Sequence, residues 1–122
     1  MLQLRPLDPL VPIARQLGET QSPVALINVF TVDPMDAEAL LKAWERDANW
    51  MKQQPGYIST QLHPGIACSA VFLNYAIWES VAHFRQAFTD PDFASALAAY
   101  PSSAVAAPHL FEKVAVANLC TT

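Results

Sequence analysis

Asn74-Tyr75-Ala76-Ile77-Trp78-Glu79-Ser80, running into Val81-Ala82-His83-Phe84-Arg85-Gln86-Ala87-Phe88, decides how this chain is read. The stretch up to Trp78 has the make-up of a buried strand. Ser80 then offers its hydroxyl to the free amides of a helix start. Val81, Phe84 and Phe88 follow at helical spacing. The same grammar occurs upstream. An apolar run over 24–32 is followed by Asp33 as a cap, and by Pro34 where a missing N–H costs nothing. Ala37, Leu40, Trp44, Ala48 and Met51 then form one apolar stripe. Two strand–helix units in one chain predict a duplicated architecture. They also place an asparagine in the middle of each apolar strand, Asn28 and Asn74. A buried amide there requires a protein partner, a water or a ligand.

Working outward, Gln54-Pro55-Gly56 ends the first helix, and 57–63 reads as a strand with Ile58, Thr60 and Leu62 on one face. Pro64-Gly65 turns the chain into the strand at 69–78. Asp90-Pro91 interrupts the second helix, which resumes over 93–100, and a last strand is expected at 110–117. The order β-α-β-β-α-β predicts an α+β, ferredoxin-like plait, with strands 24–32 and 69–78 adjacent at the sheet centre. Residues 1–23 form a proline-rich arm with one helical turn over 13–17 ended by Gly18, and 24–118 is the domain. Too apolar for a free tail, the arm is expected on the domain or, more specifically, against a partner subunit.

Period-2 alternation divides the central strands. Phe72, Asn74, Ala76 and Trp78 share one face with Leu26, Asn28 and Phe30; Val71, Leu73, Tyr75 and Ile77 share the other with Ala25, Ile27 and Val29. Helices cover only one face of a two-layer plait, yet both faces here are apolar. A second copy laid sheet to sheet covers the other, giving a homodimeric αβ-barrel; the arm or the C-terminal tail is the competing cover. The face with Asn28, Asn74 and Trp78 looks toward the helices. A cavity there would have aromatic walls drawn from Trp44, Phe72, Phe84 and Phe88.

The totals set bounds. At 122 residues the chain is one domain, 52% hydrophobic and only 15% charged, which fits surface buried by self-association. A net charge of −4 argues against nucleic acid and anionic membrane as partners. No apolar run approaches the ~18 residues of a membrane span, and Arg5, Asp8, Arg15 and three prolines interrupt the first 22 residues against a signal peptide. Cys68 and Cys120 lack CxxC spacing, as expected of a reduced, cytoplasmic protein. No histidine–carboxylate spacing suggests a metal site, and no phosphate loop or nucleophile elbow is present.

With Leu26-Ile27-Asn28-Val29-Phe30, Trp44-Glu45-Arg46, Gln54-Pro55-Gly56-Tyr57, Leu62-His63, the block from Asn74 to Ser80 and the stretch 84–93, the chain resembles the antibiotic biosynthesis monooxygenase family of dimeric αβ-barrel proteins over about 24–116. Its quinone-forming branch oxidises anthrone-type polyketides with molecular oxygen and uses no metal, flavin or haem. The resemblance implies that Asn74 and Trp78 stabilise enolate or peroxide intermediates. Some members carry a tyrosine where this chain has Phe84, so proton transfer from that position is missing here. The haem-degrading branch matches Asn28, but its helix tryptophan and histidine correspond to Phe88 and Ala98, which removes the axial iron ligand.

The resulting expectation is a monooxygenase without cofactor, acting on an aromatic or quinol-type compound. Asn28, Asn74 and Trp78 would be catalytic through their N–H donors. His63, His83 and Arg85 are second-rank substrate contacts. Each has a plainer reading: Trp78 as core, the asparagines as partners of strand-edge amides, the two histidines and Arg85 as solvated surface. A non-catalytic binding or stress-response barrel is the alternative for the whole chain.

Overall fold

The computed structural model describes residues 1–120. Five strands, β1 (Gln3–Leu4), β2 (Val24–Thr31), β3 (Tyr57–Pro64), β4 (Val71–Trp78) and β5 (Val105–Phe111), form one sheet in the order β1-β5-β2-β4-β3. The helices are α1 (Ile13–Gln16), α2 (Ala37–Met51), α3 (Val81–Phe88) and α4 (Pro91–Ala96), with 3₁₀ turns at Pro34–Asp36 and Leu97–Ala99. Without β1 this is the expected α+β plait, and β2 and β4 lie side by side, antiparallel, at its centre.

The caps behave as the side chains dictate. Asp33 accepts from the Met35 amide, Ser80 from His83 and Asp90 from Asp92. Leu40 and Ala43 of α2 and Val81, Phe84 and Ala87 of α3 are buried against the sheet. Alternation in β4 is as read, with Phe72, Ala76 and Trp78 buried inward and Val71 and Tyr75 exposed outward.

Two expectations change, and the arm takes the first of its two expected places. The last strand lies five residues earlier than 110–117, because Ala104, Ala106, Pro108 and Leu110 supply the buried alternation while 112–117 is exposed. Pro108 obscures that strand in the sequence. It is tolerated because β1 reaches only Val105 and Ala106, so β5 has a free edge at Pro108. In β3 a bulge between Tyr57 and Ser59 breaks the alternation, leaving Ile58 exposed while Thr60 and Leu62 face inward. The arm lies on its own chain. Its β1 pairs in parallel with β5, the Leu2 amide donates to the Leu97 carbonyl at 2.9 Å, and Leu2 is buried in the core. The Gln16 amide group bonds both N–H and C=O of Leu110, tying α1 to β5. Leu2 and the ends of the arm are thus held by the chain itself, while Leu4, Leu7 and Leu10 stay 42%, 47% and 82% exposed.

The core divides into two clusters. One contains Leu2, Phe30, Leu40, Phe72, Phe93 and Tyr100; the other contains Leu26, Ala76, Trp78, Val81, Phe84 and Leu110. Phe88, Trp50 and Met51 touch both. The strand register explains the division. Phe30 opposes Phe72 and Leu26 opposes Ala76, and the rung between them is Asn28 opposite Asn74. One polar rung between two apolar ones interrupts the core.

Candidate functional site

At that seam a cavity of about 60 Å³ opens between sheet and helices, and both asparagines line it. This is room for on the order of four waters, and less than the roughly 150 Å³ in which a dry apolar cavity takes up benzene. The Thr60 hydroxyl on β3 donates to Asn74 Oδ1 at 2.5 Å. With its oxygen held, Asn74 keeps its Nδ2 donors for a ligand. Asn28 Oδ1 is buried without a partner. A buried acceptor lacking a donor costs stability and marks a place for a hydroxyl or water.

Trp78 closes one end of the cavity. Only 2% exposed, it meets Tyr57 and Phe84 edge to face at centroid distances of 5.7 Å each. Phe84, Phe88 and Phe93 continue the wall at 5.2 and 5.3 Å centroid spacing. From α2, Trp44 and Asp47 face the same space. Asp47 Oδ2 accepts from the Tyr100 hydroxyl at 3.0 Å, while Oδ1 is buried and unpaired. Burial raises the Asp47 pKa to about 6, against the smaller lowering effect of the Tyr100 hydrogen bond. Burial foremost, then the Asp47 charge and hydrogen bond, pushes the Tyr100 hydroxyl well above its ordinary value.

Of the residues singled out from sequence, Asn28, Asn74, Trp78, Trp44, Phe84 and Phe88 come together around this cavity. Four do not. Phe72 packs into the first core cluster, opposite Phe30. His63 is exposed at the far end of β3. His83 turns back to its own cap, with Nδ1 2.7 Å from Ser80 Oγ, and its ring covers Gly56. Arg85 is exposed and donates to the Leu17 carbonyl at 2.6 Å, pinning the arm. These side chains start from the wrong side of a helix or the far end of a strand.

The sequence reading missed Asp47, Tyr57, Thr60 and two residues of the arm, Leu2 and Leu4, all of which line the cavity. Asp47 had a signal. It falls three residues after Trp44 and four before Met51, inside the α2 stripe. The arm residues had none, because nothing local indicates where a short apolar strand will dock.

A family model described as antibiotic biosynthesis monooxygenase matches residues 23–99. The chain belongs to the antibiotic biosynthesis monooxygenase family. No curated protein matches it. A provisional monooxygenase from Shewanella loihica PV-4 is 37% identical, with a TM-score of 0.66 over 81% of this chain and 100% of its own. SnoaB from Streptomyces nogalater, a cofactor-independent oxygenase, is 24% identical, with a TM-score of 0.68 over 80% of this chain and 99% of its own. That likeness shows the same fold. The arm lies ahead of the family match, so Leu2 and Leu4 add a wall from outside the matched residues. Among the described residues of this family member, no three His, Cys, Asp or Glu side chains group to hold a metal ion, and no helix is long and apolar enough to cross a membrane.

Proposed function

We propose that the chain is a cofactor-independent monooxygenase that oxidises an aromatic, quinol- or anthrone-type compound with molecular oxygen. The observation that carries this reading is the Asn28–Asn74 rung, facing a cavity walled by Trp78 and phenylalanines. Such chemistry requires the substrate as an electron-rich enolate that can give an electron to oxygen. The protein's part is to hold it, favour its anion and exclude water. Asn74 Nδ2 suits an enolate oxygen, because Thr60 already occupies the amide's acceptor. Asn28 Oδ1 suits a phenolic hydroxyl, the donor it lacks. The Trp78 indole N–H is a second donor, for an oxyanion or a peroxide. Binding an aromatic ring system requires the cavity of about 60 Å³ to widen.

A second reading has support of its own. Phe84 is wholly buried and offers no hydroxyl to the cavity, which fits a small-molecule-binding barrel without turnover. Both readings fit a homodimer formed through the helix-free sheet face.

Oxygen uptake by chelator-treated protein with a panel of anthrones and hydroquinones separates the two. Under the first reading uptake survives chelation. It falls by about 10²-fold or more in Trp78→Phe and in Asn74→Ala, the magnitude of losing one preorganised oxyanion donor. Saturable binding of the same compounds without uptake supports the second reading and refutes the first.

A further inference from the structure

We infer that Asp47 is the proton acceptor of this site, taking a proton from the acidic C–H or O–H of the bound substrate. The inference rests on the oxygenase reading above and adds to it the base that reading lacks. Asn28, Asn74 and Trp78 can stabilise an anion, but none of them can make one at neutral pH. Asp47 and Tyr57 are the ionisable side chains that line the cavity. Burial raises the Tyr57 pKa above that of an ordinary phenol, so Tyr57 is protonated and unfit as a base. Asp47, on α2, lines the cavity together with Asn28 and Asn74, and its two oxygens have different surroundings. Oδ2 is held by the Tyr100 hydroxyl at 3.0 Å, which fixes the carboxylate. Oδ1 is shielded from solvent and has no hydrogen-bond partner. A free carboxylate oxygen on a carboxylate fixed by its other oxygen is the arrangement a positioned base requires.

The surroundings keep that base active near neutrality. Tyr100 lies on the segment after α4, its ring stacked on Phe30 of β2 at 6.1 Å. The N-terminal ammonium donates to the Tyr100 carbonyl at 3.0 Å, on the backbone side away from the hydroxyl. Across the cavity β3 presents Tyr57; on α4, which packs against α2, Asp92 is exposed. On α2 itself Lys42, Glu45 and Arg46 are exposed. Desolvation dominates, and it raises the basicity of Asp47.

With an anthrone bound, the Asp47 carboxylate takes one methylene proton, and the C–H electron pair stays on the substrate as the enolate. The enolate adds molecular oxygen, which is reduced as carbon is oxidised, and a C–O bond forms to give a peroxide anion. Protonated Asp47 returns its proton to the peroxide. Loss of the second C–H proton with O–O cleavage then releases water and leaves the quinone carbonyl.

The test uses the full chain with 9-anthrone as the probe. In air, oxygen uptake is followed against pH for the wild type, Asp47→Asn and Asp47→Glu. Under argon, the long-wavelength absorption of the bound anthrone enolate is read for the same three proteins. We expect kcat/KM of the wild type to rise with unit slope and level off above a pH of about 6. Asp47→Asn should lose about 10²–10⁴-fold and its pH dependence, Asp47→Glu should recover part of both, and enolate should form anaerobically only where a carboxylate is present. Uptake and enolate formation unchanged in Asp47→Asn overturn the assignment and leave the oxygenase reading standing. Enolate formation that depends on Asp47, without uptake in air, upholds the assignment and overturns the oxygenase reading. Neither signal in the wild type overturns both.

Discussion

Asn28 and Asn74 occupy a position where either alone would be a defect and the two together form a site. They face each other across the central strand pair, and each keeps one amide atom free for a ligand. Their face was legible because strand alternation is strict there: Phe30 and Leu26 flank one, Phe72 and Ala76 the other. Asp47 falls inside the α2 stripe, but its burial was not legible there, because an acid usually points to water and its desolvation depends on where Tyr100 and the sheet lie. That burial has a measurable consequence. The folded-state pKa is raised from 3.8 to about 6, so the folded protein binds the proton more tightly than the unfolded chain. The stability it contributes is complete below about pH 4 and is lost as pH rises through about 6. A rise of that size is worth roughly 2–3 kcal/mol of pH-dependent stability. Asp47→Asn, whose side-chain oxygen still accepts from Tyr100, should therefore be more stable than wild type by roughly that amount at pH 7 and little different at pH 4. Urea midpoints at the two pH values check this, and an unchanged difference between them counts against a buried carboxylate. Higher stability with lost activity would be the trade expected of a functional group held at a cost to the fold.

Among the elements, the joint between α2 and β3 is the most constrained. Gly56 has φ +85°, and a Cβ added there would lie 2.3 Å from His83 Cβ. His83 is fixed in turn by Ser80, which caps α3. Gly56 therefore lets two helix ends and the edge strand meet, and the Glu79 amide donates to the Gly56 carbonyl at 2.7 Å in the same joint. Gly56→Ala should destabilise by roughly 2–4 kcal/mol, combining left-handed backbone strain with the clash. Adding His83→Gly, which removes the Cβ that the new methyl meets, should relieve the clash and leave the backbone strain. Non-additivity in that double-mutant cycle is the readout, and strictly additive effects would exclude the contact. Gln54-Pro55-Gly56 is legible as a helix stop from residue types alone. Its second role is not, because His83 is 27 positions away in the chain. The same distinction explains β5. Leu110 belongs to a strand in both readings, but the true start at Val105 depends on a sheet edge that makes Pro108 harmless.

For the molecule as a whole, the outer sheet face is the surface on which assembly is expected. Tyr75 opposes Ile27 there, Leu73 opposes Val29, and Val71 and Tyr75 are about 40% and 39% exposed. In the structure the arm runs beyond β5 at the sheet edge, so that apolar surface is left uncovered. Sedimentation of the wild type should give a dimer at micromolar concentration. Ile27→Glu with Tyr75→Glu should give a folded monomer, because two charges per chain would otherwise be buried without partners. A wild-type monomer would show that the face is tolerated bare. Local features of the chain were enough for α2, α3 and β2 to β4, their order and the inward face of each central strand. Those follow from periodicity, capping residues and turn residues, all interactions between near neighbours. The position of the arm, the burial of Asp47 beside Tyr100, the Thr60–Asn74 bond and the removal of His63, His83 and Arg85 from the cavity required the folded chain. They depend on contacts between residues distant in sequence, and no short-range pattern encodes which of several apolar edges or polar partners those residues will meet.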